Sequence, residues 1–421
     1  MKILIKNAEI LDPKSAFHQQ TKNILIENGI ITSVSDAETS ADKVIQSPNL
    51  KVSTGWFDMR TTIGDPGYEH KETIDSALLA AAKGGFTAIA MLPCTKPVVQ
   101  SKDTISYIRS KAQGYATNIY VYGALSADLH GSELTEMMDL HHAGAIAFTD
   151  GDAPIYHTGL MVRALEYVRH TDTTIIQRPE DLHLTQYGQM NEGATSTYLG
   201  LKGMPHLAEV LMIHRDLQLV KYTSGKLHFS CISSAESVLL IKHAKSMGLN
   251  ISCDVAVPNL VFDDSVLLDF DTVYKLNPPL RTKADIKALW QGVNDGTIDA
   301  IVTDHRPQDT ESKMVEFDMA DFGMTQLETA FPALLSAKPD YVNIETIIDK
   351  MTYGPRKILA INDDTIQIGN IANITVFDTT SAWKYDENKI ASKSRNSPFL
   401  NQELRGSVHA IYNNKILYEN K

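Results

Sequence analysis

The feature that most constrains the fold is an alternation of apolar, β-rich runs with helix-length segments through the middle of the chain. Eight strands alternating with helices are typical of a (β/α)8 barrel. A doubly wound open sheet is the alternative, but no G-x-G-x-x-G motif follows the first strand, which disfavours it. The predicted strands cover residues 55–59, 86–92, 118–122, 145–148, 173–176, 227–232, 249–255 and 298–302, and the helix-length segments include 71–83, 101–113, 207–222, 235–247 and 283–294.

Both ends of the chain predict short strands outside this alternation. They are rich in β-branched residues, and Asn28-Gly29 is a strong hairpin signal between two of the N-terminal strands. We expect the two ends to meet in one small domain that the central part of the chain brings together. The predicted α/β fold therefore has a β-sandwich domain of residues 1–52 plus 365–421 and a barrel domain of residues 53–364.

Composition excludes several classes of function. The 421 residues carry 39 Lys and Arg against 51 Asp and Glu, a formal charge of −12, which argues against nucleic-acid and anionic-membrane partners. No apolar run approaches the roughly 20 residues that span a bilayer. The odd, small number of cysteines (Cys94, Cys231 and Cys253) indicates reduced thiols in a cytoplasmic protein.

Several long segments follow one another in an order that is typical of one enzyme family. They include GWFDM (55–59), DPGYEHKE (65–72), AAKGGFTAIAMLP (81–93), GAIAFTD (144–150), EDLHL (180–184), KLNPPLRTKADIKALWQGVNDGTIDAIVTDH (275–305), GMTQLETAFPALL (323–335) and SRNSPF (394–399). With these segments, almost the whole chain resembles the dihydroorotases of the long bacterial type, in the amidohydrolase superfamily. The resemblance implies an amidohydrolase-type (β/α)8 barrel.

The resemblance also implies an activity, the reversible cyclisation of carbamoyl aspartate to dihydroorotate in pyrimidine synthesis. In the family, zinc activates a water that attacks the ring amide carbonyl, and an aspartate moves the proton. Asp304 matches that aspartate. Asn277 and Gly323 match positions that contact the pyrimidine ring, so the resemblance makes them candidate substrate-binding residues.

The residues that carry this chemistry in the family are replaced here. An arginine cannot lose its proton at working pH, so it cannot substitute for a histidine ligand. A hydrolytic zinc needs about three protein ligands, and we therefore expect no bound zinc or other cofactor. The four histidine-ligand positions hold Arg60, Thr62, Arg178 and Cys231, and the two positions that hold the substrate carboxylate have become Gly64 and Cys94.

The loss of metal ions would leave acidic groups at the barrel mouth without counter-charges. Burying uncompensated carboxylates is costly. We therefore predict that Arg60 and Arg178 pair with Asp304 and with Asp150 or Asp152, and so take over the charge-balancing role. Cys231 together with these acids forms the alternative, an atypical metal centre.

The chain has fourteen histidines, but none occupies one of the four ligand positions. His228 lies three residues before Cys231. Side chains alternate along a strand, so the two should point to opposite faces. We expect His228 to pack against the helices rather than to enter the barrel.

Two classes of function follow. The first is a non-catalytic dihydroorotase-like protein, for which the resemblance implies aspartate transcarbamoylase as a partner and a homo-oligomer as the assembly. The second is a divergent dihydroorotase or cyclic amidohydrolase that hydrolyses a ring amide with an atypical metal centre. A binding protein for another small molecule is third, since a barrel mouth can persist as a pocket after catalysis is lost.

Overall fold

A computed structural model describes residues 1–169 and 171–420 of the chain. As the sequence predicted, both termini contribute to one small β domain. Its strands form an eight-stranded sheet in the order β18-β17-β16-β5-β1-β2-β3 with β4 beside β1. The link between the two ends is the antiparallel pairing of β16 with β5, in which Ile374 lies opposite Thr54. Its strands are β1 (Lys2–Ile10), β2 (Thr21–Glu27), β3 (Ile30–Ser35), β4 (Lys43–Ile45), β5 (Lys51–Thr54), β16 (Ile374–Lys384), β17 (Glu403–Asn413) and β18 (Ile416–Glu419).

The central part of the chain forms the predicted barrel of eight parallel strands, in the order β15-β14-β13-β10-β9-β8-β7-β6. Its first and last strands close on each other through the backbone, since the amide of Thr62 donates to the carbonyl of His305 at 2.8 Å. The barrel strands are β6 (Trp56–Thr61), β7 (Phe86–Met91), β8 (Asn118–Ala124), β9 (Ala145–Thr149), β10 (Ile175–Gln177), β13 (Leu227–Phe229), β14 (Ile251–Ala256) and β15 (Ala300–Val302). A separate two-stranded sheet joins β11 (Met190–Asn191) to β12 (Gly203–Met204).

Helices surround the barrel, and their ends follow ordinary capping chemistry. For example, the Thr73 side chain caps α1, which stops at Gly85 in the left-handed conformation that glycine adopts readily. No helix in the described residues is long and apolar enough to cross a membrane. The helices are α1 (Ile74–Gly84), α2 (Lys102–Lys111), α3 (Met137–Ala143), α4 (Thr158–Val168), α5 (Leu182–Thr185), α6 (Ala194–Leu199), α7 (Leu207–Thr223), α8 (Ala235–Ser246), α9 (Val257–Val261), α10 (Lys283–Asp295), α11 (Thr310–Lys313), α12 (Ala330–Ala337), α13 (Ile344–Met351) and α14 (Tyr353–Ile358).

Two buried clusters show which strand residues face inward. The larger contains Leu227 and Phe229 of β13 and packs them against the helices. The smaller fills the barrel with residues such as Met59 and Tyr122, and it includes Cys231. Because side chains alternate along a strand, the residue between Leu227 and Phe229 points into the barrel.

The prediction for His228 is therefore wrong. Its ring lies inside the barrel, where Nε2 is 2.8 Å from Asp254 Oδ2 and Nδ1 is 2.8 Å from Ser252 Oγ. The alternation does not extend to Cys231, because β13 ends at Phe229 and Cys231 adopts a φ of 57° in the left-handed region. Both side chains consequently face inward.

Candidate functional site at the barrel mouth

The residues singled out in the sequence meet where the barrel strands end. The carboxyl end of such a barrel is where functional side chains gather. Arg60 lies at the end of β6, Arg178 follows β10 directly, and Asp304 follows β15 by two residues. Cys94, Asp150, Asp152 and Cys231 occupy the corresponding positions after β7, β9 and β13.

Arg60 forms the centre of this mouth. Its side chain is only 1% exposed, and Nε donates to Asp304 Oδ1 at 2.7 Å while Nη2 donates to Asp152 Oδ1 at 2.6 Å. These contacts confirm the predicted pairing of Arg60 with acids at the mouth. Hydrogen bonds between ionised groups are about twice as strong as neutral ones, so the geometry of the three side chains is well fixed.

Asp152 is held by three arginines. Besides Arg60, Arg306 Nη1 lies 3.0 Å from Asp152 Oδ2, and Arg178 Nε donates to the Asp152 backbone carbonyl at 2.9 Å. Burial favours the neutral carboxyl, but the charges of Arg306, Arg60 and Arg178 outweigh it and lower the pKa of Asp152 to about 2. Asp152 is therefore ionised throughout the physiological range.

Arg306 was missed in the sequence, although a signal was present. The resembled family reads Asp-His-Ala-Pro-His after the eighth strand, and here the segment reads Asp304-His305-Arg306-Pro307-Gln308. A cation in place of alanine, next to a retained aspartate, is the same kind of change as those at the ligand positions.

Arg178 does not pair as predicted. Its Nη2 atom forms a salt bridge with Glu180, two residues along the chain, and both side chains are buried. The Asn277 amide donates to the same carboxylate, with Nδ2 3.2 Å from Glu180 Oε2. The predicted pairing of Arg178 with an aspartate carboxylate is wrong because Glu180 offers a closer partner, and Asn277 already uses its amide within the protein.

Asp150 has no arginine partner either. It accepts hydrogen bonds from the backbone amides of Leu125 at 2.9 Å and Ser126 at 2.8 Å, and from the Ser126 hydroxyl. Burial raises the pKa of Asp150 to about 6, against the opposing effect of these hydrogen bonds. Asp150 thus anchors the loop that follows β8.

The two thiols at the mouth are protonated in the metal-free protein. Burial, followed by the charge of Asp304, raises the pKa of the Cys231 thiol well above its usual value. Burial and the charge of Asp152 raise the pKa of Cys94 to about 11. A thiol binds metal as the thiolate, so neither side chain is in the binding form at neutral pH.

The two buried histidines beside the strands use both ring nitrogens. His228 contacts Ser252 and Asp254, as described above. His305 Nδ1 accepts from the Gln326 amide at 3.1 Å, so its protonated Nε2 faces Glu72 Oε2 at 3.4 Å. A metal-binding histidine needs one free ring nitrogen, and neither ring offers one.

The two glycines at candidate site positions, Gly64 and Gly323, have no free space where a Cβ atom would lie. A Cβ atom added to Gly64 would lie 2.1 Å from the Tyr68 carbonyl oxygen, so no side chain fits without a backbone shift. Gly323 has a φ of 143°, and an added Cβ would lie 2.7 Å from the Arg306 carbonyl oxygen. Gly64 is therefore a position where the backbone itself has closed on the place of the family's arginine.

The residues at the mouth do not fit a zinc site. In the described ranges, no three His, Cys, Asp or Glu side chains are grouped so that they could hold a metal ion. The guanidinium of Arg60 stands between Asp304 and Asp152, the two carboxylates that would be needed. A cation already bound to both acids opposes a dication electrostatically.

One small cavity lies at the mouth beside Arg178, and it does not touch Arg60, Asp152 or Asp304. The cavity that touches Arg178, Cys231 and Asn277 has a volume of about 10 Å³. A void of that size accommodates about one water molecule.

Similarity to known protein sequences shows the family of the chain. It is 41% identical to a dihydroorotase of Acetivibrio thermocellus over 100% of this chain and 99% of that one, and 38% identical to a dihydroorotase of Geobacter metallireducens over the full length of both. The chain belongs to the dihydroorotase family. The family model described as Dihydro-orotase-like matches residues 51–237, which run from β5 to beyond β13.

Solved structures agree with the family at the level of fold. An L-hydantoinase (dihydropyrimidinase) from Arthrobacter aurescens superposes with a TM-score of 0.88, covering 100% of this chain and 96% of that one at 21% identity. This dihydroorotase-like chain thus has the barrel and appended sheet of that protein, with a mouth closed by ion pairs.

Proposed function

We propose that this chain is a non-catalytic, dihydroorotase-like protein of pyrimidine biosynthesis that binds no zinc. The observation that carries the proposal is Arg60, whose guanidinium bonds to Asp304 and Asp152 in the buried mouth. A metal-activated water needs an open coordination position as well as ligands. Here Arg60 occupies both acids, and the two thiols are protonated in the metal-free protein.

Loss of the substrate anchors supports the same conclusion. Gly64 and Cys94 cannot form the charged and amide contacts that arginine and asparagine make with a carboxylate. Asp304 Oδ1 accepts from Arg60 Nε, so this carboxylate pairs with a cation of the protein where the family's aspartate moves a proton. We propose that Asp304 serves as a structural partner of that arginine.

The test is a hydrolysis assay with dihydroorotate, run beside the Acetivibrio thermocellus dihydroorotase as a positive control. We expect no turnover above background, with or without added zinc. Turnover that increases with added zinc would instead support the second class of function, a divergent cyclic amidohydrolase with an atypical metal centre.

We further propose that the chain acts through assembly, as a structural or regulatory partner of aspartate transcarbamoylase. The support is the family resemblance together with a barrel that has kept its fold after losing its ligands. Transcarbamoylase from the same organism should co-purify with this chain, and its activity or stability should fall when the chain is omitted. Identical transcarbamoylase behaviour in both preparations would contradict this partner.

A further inference from the structure

A second cavity lies on the opposite side of the barrel from the mouth. Its walls come from the last turn of α1, from α12 and from β16 and β17 of the terminal sheet, and its volume is about 190 Å³. Lys83 in this wall lies three residues before β7 begins, so the cavity is at the amino ends of the strands. Cavities of about 150 Å³ bind a molecule the size of benzene.

The cavity has one aromatic wall. Trp383 is fixed there because its indole Nε1 donates to the Gly406 carbonyl at 2.8 Å. The Lys389 ammonium group lies 5.7 Å from the centre of the Trp383 ring. A fixed aromatic face beside a cation suits a planar ring that carries a negative charge.

The charge of the lining is positive although the whole chain carries −12. Lys83 and Lys389 face one acid, Glu328. Glu328 is already occupied, since it accepts from the amides of Ala391 at 2.9 Å and Ser392 at 3.0 Å and lies 3.4 Å from Lys83 Nζ. No salt bridge joins Lys389 to a carboxylate in the described residues, so its charge is free for an anion.

The wall also has hydrogen-bonding capacity that the described residues do not use. His409 Nε2 and Asn420 Oδ1 are buried without a partner in that part of the chain. The Asn420 orientation is set, because its Nδ2 donates to the carbonyls of Lys83 and Val408, each at 2.8 Å. Burial lowers the pKa of His409, so its ring is neutral at pH 7. Unpaired buried polar atoms cost free energy that hydrogen bonds to a ligand would recover.

We propose that this cavity between the barrel and the terminal sheet is a binding site for a small planar monoanion with a ring N–H group. The ring lies against Trp383, the anionic group contacts Lys389, and the N–H faces the Asn420 Oδ1 acceptor, with His409 Nε2 beside it. Since the cavity touches both the barrel and the terminal sheet, its ligand would stabilise their contact.

The experiment uses the full-length protein labelled with ¹⁵N in its tryptophans alone. The chain has three, so three indole N–H signals are expected, and Trp383→Phe assigns the one in the cavity. Trp290 is buried away from the cavity and reports any general change, whereas Trp56 packs close to Val408 of the cavity wall. The probe is pyrrole-2-carboxylate, and its neutral amide is the matched control ligand.

We expect pyrrole-2-carboxylate to shift the Trp383 signal saturably, with a dissociation constant on the order of 1 mM for so small a ligand. Lys389→Met should weaken binding roughly tenfold or more, because a hydrogen bond to a charged group is lost. Lys384→Met, an equal loss of charge at an exposed residue outside the cavity, should leave the constant unchanged.

Four results would overturn the proposal. One is the absence of a saturable Trp383 shift. Another is an equal response to the neutral amide, or equal affinity in Lys389→Met. The last is a shift of Trp290 as large as that of Trp383, which would place the ligand elsewhere.

Discussion

Arg60 Nη2 donates to Asp152 Oδ1 at 2.6 Å, inside a barrel mouth where the family resemblance implies zinc. The same guanidinium donates to Asp304 at 2.7 Å. One fixed positive charge therefore bridges two acids, as a metal ion would. We propose that Arg60 stabilises the dihydroorotase-type scaffold in a chain that lacks the family's zinc-dependent activity.

Removal of this bridge should destabilise the protein strongly. Arg60→Met leaves Asp304 without its arginine and Asp152 with Arg306 still beside it, and breaking a largely buried pair in this way costs about 3 kcal/mol. The free energy of unfolding, measured by urea denaturation, should fall by that amount. Arg163→Met is the control, because Arg163 is exposed and its loss should change stability by roughly 0.5 kcal/mol or less. A similar effect of both substitutions would contradict the bridging role.

Asp152 should make stability depend on acid pH. Its folded-state pKa of about 2 lies below the unfolded value of about 3.9, so its contribution is complete above pH 4 to 5 and disappears as pH falls toward 2. The shift corresponds to about 2.6 kcal/mol. The stability difference between the native chain and Asp152→Asn should therefore shrink by about half between pH 7 and pH 3. A difference that stays constant over this range would show that Asp152 is not held by the arginines.

The closed backbone at Gly64 should reject any side chain. Gly64→Ala places a methyl group 2.1 Å from the Tyr68 carbonyl oxygen, and such overpacking costs about 1–3 kcal/mol. Thermal unfolding should show a clear loss of stability. Gly193→Ala is the control, since the nearest atom to its added Cβ would be 3.7 Å away. If Gly64→Ala is as stable as this control, the mouth is not closed as described.

Arg178 and Glu180 should be coupled energetically. Both are buried and bonded, so a double-mutant cycle with Arg178→Met and Glu180→Gln should give a coupling of about 1–3 kcal/mol. The matched control is the surface pair of Lys242 and Asp295, whose side chains are 60% and 37% exposed. Exposed pairs contribute about 0–1 kcal/mol. Equal coupling energies in the two cycles would show that Arg178 and Glu180 interact no more strongly than an exposed ion pair. That result would contradict the place of Arg178 among the ion pairs of the mouth.

The fold could be predicted from the sequence because the patterns that indicate strands and helices are local. Each barrel strand is a short buried run between helices with clear ends, and all eight predicted runs overlap observed strands. The sheet of the two termini followed from β-rich ends that lacked helical segments. Such patterns depend on neighbouring residues, which a sequence displays directly.

The side-chain contacts of the site were harder to predict, because they depend on where the chain departs from regular strand geometry. The parity argument for His228 failed at Cys231, where one left-handed residue ends the alternation. Arg178 pairs with Glu180, two residues further along the loop after β10, and the sequence does not show this contact. Single sequence positions show that the family's ligands are replaced. They do not show which acids the replacing arginines bind, because that depends on distances in three dimensions.

The most direct test of the central claim is the zinc content of the protein, expressed with added zinc, purified without chelator and measured by mass spectrometry. We expect far less than one zinc per chain, with an unfolding temperature that EDTA does not change. About one or more zinc ions per chain, bound at the barrel mouth and lost together with stability in EDTA, would contradict the replacement of the metal by Arg60.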